Sequence, residues 1–260
     1  MSRIATVFAK PGHKALIAYL TIGYPSTKAT LQIVPALASW GCDIVELGIP
    51  FSDPLADGTT IQKASYQALK QGVTPKSCLD IASQLRLAVD IPLVFMTYYN
   101  PVFNFGVELF CRSCATAGVD GLIVPDLPPE EGQELELSTS EHNLDLSYLL
   151  APTSDEERID LVVNRSRGFI YLVSLTGVTG AREKLPPELE GFILRVRHKT
   201  AKPLCVGFGI AGALEAQRVA KIADGVIVGS RIIQLIEGQE PMAELGYFIG
   251  SLREALSTYD

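Results

Sequence analysis

Along the chain, short apolar runs alternate with longer stretches in which apolar positions recur at helical spacing. Eight of the short runs are near-continuously apolar and rich in Val, Ile and Leu, the pattern of parallel strands buried on both faces. They cover residues 15–23, 43–49, 92–98, 119–125, 146–152, 169–175, 204–210 and 225–229. Amphipathic segments such as 30–40, 76–89 and 107–117 separate them, the last followed by Gly118, a common helix terminator. Strand and helix repeated in this way, with no long linker, predict an α/β fold of the (β/α)8 (TIM) barrel type. The expected organisation is a single domain over residues 1–260 with a short N-terminal helical segment. A doubly wound open sheet is the competing architecture, but it usually carries a glycine-rich turn after its first strand. Here Gly23-Tyr24-Pro25 follows, which is no dinucleotide fingerprint.

Barrel geometry turns this linear order into a sorted inventory, because residues at strand C-termini face the mouth where barrel enzymes place their chemistry. Two loops on that face stand out. Residues 50–58 read Pro-Phe-Ser-Asp-Pro-Leu-Ala-Asp-Gly, a shaped loop with two prolines. Residues 176–182 read Thr-Gly-Val-Thr-Gly-Ala-Arg, with two glycines around a β-branched pair, the composition of a closing lid. His13, His142 and His198 each precede a strand and so belong to the opposite end. No lysine falls in the C-terminal half of a strand, where a Schiff base would need one; Lys184, in or after the second loop, reads as a solvated charge.

What remains near the mouth is acidic. Glu46 lies inside the second strand with the parity of Ile44 and Gly48, and a carboxylate among apolar neighbours is costly to desolvate unless paired or protonated. Its alternative role is a core ion pair. Asp57 sits on the loop after the same strand and reaches the same mouth, or else makes an Asx-turn before Gly58. Asp53 fits a turn, and Asp126, ahead of Leu127-Pro128-Pro129, fits a helix cap. Strand seven ends Gly207-Phe208-Gly209-Ile210 and strand eight ends Gly229-Ser230, where barrels often hold phosphate on backbone N–H groups. Gly180 is placed to close over the same oxygens. Tyr19, Met96, Tyr98, Ile123, Tyr171 and Phe208 fall in the upper halves of strands; each alone fits the barrel core, and together they suggest a flat apolar pocket.

Composition narrows the partners. A net charge of −7, with no Lys/Arg-rich block, argues against nucleic acid, so an anionic substrate must be held by local features. Five scattered cysteines suit a reducing compartment, and Cys111-x-x-Cys114 reads as a buried structural pair. Residues 1–10 lack the apolar core of a signal peptide, and no apolar run is long enough to span a membrane. The expected location is cytoplasm, or plastid stroma if the gene is plastid-borne. No metal and no organic cofactor are expected.

The segment from Val45 to Gly58, with Glu46 and Asp57 inside it, resembles the signature of the tryptophan synthase alpha subunit family. The likeness continues through Gly177-Val178-Thr179-Gly180, Gly207-Phe208-Gly209-Ile210 and Gly229-Ser230, and covers essentially the whole chain. It implies cleavage of indole-3-glycerol phosphate to indole and glyceraldehyde 3-phosphate, with indole passing to a PLP-dependent beta subunit in an alpha2-beta2 assembly. By the same resemblance Glu46 is the acid/base and Asp57 the partner of the indole nitrogen. Gly180, Gly209, Gly229 and Ser230 would then hold phosphate, and Thr179 would belong to the closing loop. Tyr19, Met96, Tyr98, Ile123, Tyr171 and Phe208 would line the indole pocket. One departure is Thr59, where the family commonly has proline. The alternatives are another phosphosugar barrel, a freestanding indole-3-glycerol phosphate lyase, or a barrel acting mainly as activator of a partner subunit.

Overall fold

In the computed structural model, which describes residues 1–174, 187–207 and 210–257, the apolar runs form nine parallel strand segments. These are β1 (Ala15–Thr21), β2 (Ile44–Gly48), β3 (Leu93–Met96), β4 (Gly121–Ile123), β5 (Asp145–Ser147), β6 (Leu149–Leu150), β7 (Ile170–Val173), β8 (Leu204–Gly207) and β9 (Gly225–Val228). Their order in the sheet is β5-β4-β3-β2-β1-β9-β8-β7-β6. Only Tyr148 separates the two ends of that order, so β5 and β6 are one strand path that pairs with β4 on one side and β7 on the other. The fifth predicted strand is therefore split, and the ring has the eight positions of a (β/α)8 barrel. The split has a local cause. The Tyr148 N–H donates to the Ser166 hydroxyl at 3.2 Å instead of to a strand, while its carbonyl still accepts from Tyr171 N–H at 3.1 Å.

Alternation along each strand sorts side chains into two shells. Leu16, Ala18, Leu20, Val45, Leu47, Leu93 and Phe95 point outward into the layer beneath the helices. Ala15, Ile17, Ile44, Val94, Phe169, Cys205 and Ile227 fill the barrel interior. The bottom is plugged by the helix Arg3–Phe8, whose Ile4 is fully buried and whose Phe8 ring lies 6.2 Å from that of Phe169. A β-carbon at Gly121 would meet Ile4 Cδ1 at 3.1 Å and the Asp145 carbonyl at 2.8 Å, so the missing side chain makes room for the plug.

Three aspartates at strand N-termini repeat one device. Asp43, Asp120 and Asp224 each accept a backbone N–H from the start of an adjacent strand: from Leu16, the second residue of β1, and from Leu93 and Leu204, the first residues of β3 and β8. Each also pairs with an arginine: Arg253, Arg86 and Arg197. His13 joins Asp43 at 2.7 Å and so stands at the bottom, as its position before β1 predicts. All five cysteines are buried free thiols, with Cys111 and Cys114 inside the helix Val107–Thr116. Among the described residues no helix is long and apolar enough to cross a membrane.

Candidate active site

The interior shell changes character at the top of the barrel, where polar groups replace aliphatic ones. Tyr19 of β1 stands beside Glu46 of β2 in the strand register, and Thr21 beside Gly48. A β-carbon at Gly48 would fall 2.2 Å from the Tyr19 hydroxyl oxygen, and one at Gly229 would fall 3.1 Å from Tyr19 Cδ1. Tyr171 repeats the arrangement on the far side, its hydroxyl 2.3 Å from where a β-carbon of Gly207 would be. Glycines on neighbouring strands thus let both rings lean across the barrel.

Glu46 is fully buried, and neither carboxyl oxygen has a hydrogen-bond partner among the described residues. Burial disfavours the charged form and pushes its pKa up to about 8, so the carboxyl holds its proton at neutral pH. Tyr19 and Tyr171 are both buried and both feel Glu46, and their hydroxyls are held well above the usual phenol range.

Asp57 is half-buried at the end of the shaped loop and is held from several directions. Its N–H donates to the Pro54 carbonyl at 3.0 Å, and its carbonyl accepts from Gln62 Nε2 at 2.9 Å. The Tyr98 hydroxyl accepts the Ala56 N–H at 2.9 Å and donates to the Asp57 carboxylate. Phe51 backs that tyrosine, with ring centroids 5.3 Å apart. Burial raises the Asp57 pKa and the Tyr98 bond lowers it, leaving it at about 6. Between about pH 6 and 8, then, Glu46 is protonated while Asp57 is ionised.

A cavity of about 320 Å³ opens over these groups. Of the sequence-derived site residues, Tyr19, Asp57, Met96, Tyr171, Gly229 and Ser230 line it. Glu46 does not; its carboxyl lies buried next to Tyr19 and Tyr171. Tyr98 acts on Asp57 from outside the cavity, and Ile123 packs fully buried within the interior shell. Thr179, Gly180, Phe208 and Gly209, together with Lys184 and the whole loop of residues 176–182, lie outside the described residues. Sequence reasoning missed Ile61, Ile210 and Ile227 as apolar wall, and Arg231 and Gln234 at the rim. Ile227 was readable, since it shares the inward parity of Gly229; Ile61, Arg231 and Gln234 come from helices that a survey of strand ends passes over.

Asp126 is a cap, but of the helix Tyr99–Phe105 from the preceding unit, accepting the Tyr99 N–H at 2.9 Å. Thr59 is the first residue of the helix Thr59–Lys70, a position that favours proline but does not require it.

The comparisons with known proteins agree with one another. A family model described as tryptophan synthase alpha chain matches residues 6–249. The chain is 56% identical over 256 residues to the tryptophan synthase alpha chain of Dehalococcoides mccartyi, covering 98% of this chain and 100% of that one. To the tryptophan synthase alpha chain of Chloroflexus aurantiacus it is 47% identical over 261 residues, covering 99% and 98%. Among solved structures, tryptophan synthase from M. tuberculosis in its aminoacrylate-bound form matches with a TM-score of 0.89 at 37% identity, over 98% and 100% of the two chains. Tryptophan synthase subunit alpha from Legionella pneumophila gives 0.91 at 36% identity, over 98% of each.

Proposed function

The chain belongs to the tryptophan synthase alpha chain family, and from that premise we propose that Glu46 and Asp57 carry the family's reaction through opposite charge states. The reaction is the carbon–carbon lyase step that converts indole-3-glycerol phosphate to indole and glyceraldehyde 3-phosphate. The observation that supports the assignment is the pair itself: a fully buried carboxyl without a hydrogen-bond partner among the described residues, and a second carboxyl lining the cavity at the barrel mouth, with burial raising the pKa of the first to about 8 and of the second only to about 6.

Breaking the bond between indole C3 and the glycerol chain first requires a proton on C3, which leaves positive charge on the ring nitrogen. Glu46 supplies the proton. No hydrogen bond among the described residues holds its carboxyl, so rotation about the side chain carries it from the barrel interior toward the substrate. Asp57, kept ionised by the Tyr98 hydroxyl, stabilises the nitrogen from the wall of a largely apolar cavity. Glu46, now a carboxylate, accepts the proton of the side-chain hydroxyl as the bond breaks. Tyr19, Met96 and Tyr171 sandwich the ring, and Gly229 and Ser230 hold the phosphate and fix the substrate's orientation. Roles for Thr179, Gly180, Phe208 and Gly209 rest on motif resemblance alone.

The partner reading follows the family: a tryptophan synthase beta subunit that receives indole, in an alpha2-beta2 assembly. Two exposed apolar side chains on the mouth side support a docking face there, Leu55 at 91% exposure on the shaped loop and Phe103 at 63% on the helix Tyr99–Phe105.

The test is cleavage by the purified chain. Glu46→Gln is expected to lower turnover by at least about 100-fold, the usual contribution of a general acid, while glyceraldehyde 3-phosphate still binds. Asp57→Asn is expected to cost about 100- to 1,000-fold without unfolding. Wild-type-like turnover in either variant removes that residue from the mechanism.

A further inference from the structure

We propose that Arg231 binds the substrate phosphate through its side chain and sets the enzyme's preference for a phosphorylated ligand, a role that rests on reading Gly229 and Ser230 as the phosphate end. The residue follows Ser230 directly at the start of the helix Ser230–Ile236, and it lines the same cavity as Gly229, Ser230 and Tyr19. It is exposed there. Its neighbours elsewhere in the fold behave differently: Arg86, Arg197 and Arg253 are each neutralised by an aspartate at a strand start. Arg231 has no carboxylate within ion-pair distance among the described residues. Among the described residues its one side-chain bond is a long one, from Nη1 to Gln234 Oε1 at 3.4 Å, one helical turn away.

A guanidinium carries five N–H donors in a planar fork that fits phosphate oxygens two at a time. Gln234 engages one edge of that fork and orients it, and the other donors are left for a ligand. Phosphate is the group that needs them. The chain carries a net charge of −7, so its overall field repels a dianion, and the carboxylate of Asp57 lines the same cavity. Backbone N–H groups offset part of that repulsion, and a cation at the rim offsets more. It also discriminates by charge, since indole by itself gains nothing from it. Arg231 therefore separates a phosphorylated ligand from a neutral one at the same site.

The experiment measures inhibition of indole-3-glycerol phosphate cleavage by glyceraldehyde 3-phosphate and, separately, by indole, in wild type, Arg231→Gln, Arg231→Lys and Ser230→Asp. Arg231→Gln is expected to weaken glyceraldehyde 3-phosphate by about 5- to 30-fold, the range for one charge-assisted hydrogen bond at an exposed rim. KM should rise in proportion, kcat should move less than about twofold, and indole inhibition should stay within about twofold, since the lost bond serves ground state and transition state alike. Arg231→Lys should recover only part of the loss, keeping the charge without the planar fork, and added salt should narrow the gap between wild type and Arg231→Gln. If Arg231→Gln leaves phosphate affinity unchanged while Ser230→Asp abolishes it, the phosphate end stands and the role of Arg231 is overturned. If neither variant weakens glyceraldehyde 3-phosphate, the phosphate end itself is misplaced and the proposal falls with it. Equal weakening of indole and glyceraldehyde 3-phosphate in Arg231→Gln would mark a structural effect and also overturn it.

Discussion

Replacing Glu46 with glutamine should change not only turnover but the pH dependence of stability, and the size of that change follows from the structure. The carboxyl is fully buried without a hydrogen-bond partner among the described residues, and its pKa is raised from an ordinary 4.5 to about 8. Below pH 4.5 the folded and unfolded chains both hold the proton, and burial of the neutral group carries no ionic penalty. From 4.5 to 8 only the unfolded chain ionises, so folding stability falls as pH rises, by about 1.4 kcal/mol per pH unit. Above 8 both forms are ionised and the loss is complete, at about 5 kcal/mol. Glutamine is neutral throughout and has no such slope. Urea unfolding of wild type and Glu46→Gln, followed by near-ultraviolet circular dichroism at several pH values, isolates the effect because the remaining titrations cancel in the difference. The variant should gain about 3 kcal/mol relative to wild type between pH 5 and pH 7.5. A stability difference that stays flat across that range would refute the raised pKa, and with it the proton that Glu46 is held to deliver.

Other consequences are equally direct. Tyr98→Phe removes the hydroxyl that donates to Asp57, so the Asp57 pKa should rise above 6 and the acid limb of kcat/KM should move to higher pH; an unmoved limb would separate the two residues. Gly48→Ala places a β-carbon 2.2 Å from the Tyr19 hydroxyl and should displace the ring, costing about 1–3 kcal/mol in urea unfolding and raising KM. Asp120→Ala strips Arg86 and the Leu93 N–H of their shared acceptor at a site where the aspartate is buried, and unfolding should report a loss of about 3–5 kcal/mol with kcat little changed.

Much of this molecule is readable from its sequence because strands buried on both faces announce themselves as continuous apolar runs, and parity then assigns each residue a side. Glu46 was found in that way, by sharing the parity of Ile44 and Gly48. What escaped depends on contacts distant in the chain. The break at Tyr148 requires the Ser166 hydroxyl, and the closure of the barrel floor requires Ile4 to meet the space left by Gly121. The charge state of Asp57 depends on its burial and on the hydroxyl of Tyr98, which lies beyond the end of β3 and about forty residues away in sequence. Asp126 looked like the cap of the segment that follows it, yet the N–H it accepts belongs to the preceding unit. Arg231 and Gln234 escape for a different reason: they project from a helix, and the parity that sorts strand residues says nothing of helix side chains.

Opposite charge states on Glu46 and Asp57 are the centre of the account, and the pH profile of kcat/KM for indole release from indole-3-glycerol phosphate tests them together. The profile should be a bell, falling below about pH 6 as Asp57 takes up a proton and above about pH 8 as Glu46 loses one. A rate that keeps rising through pH 9, or one that is level from pH 5 to pH 9, would contradict it.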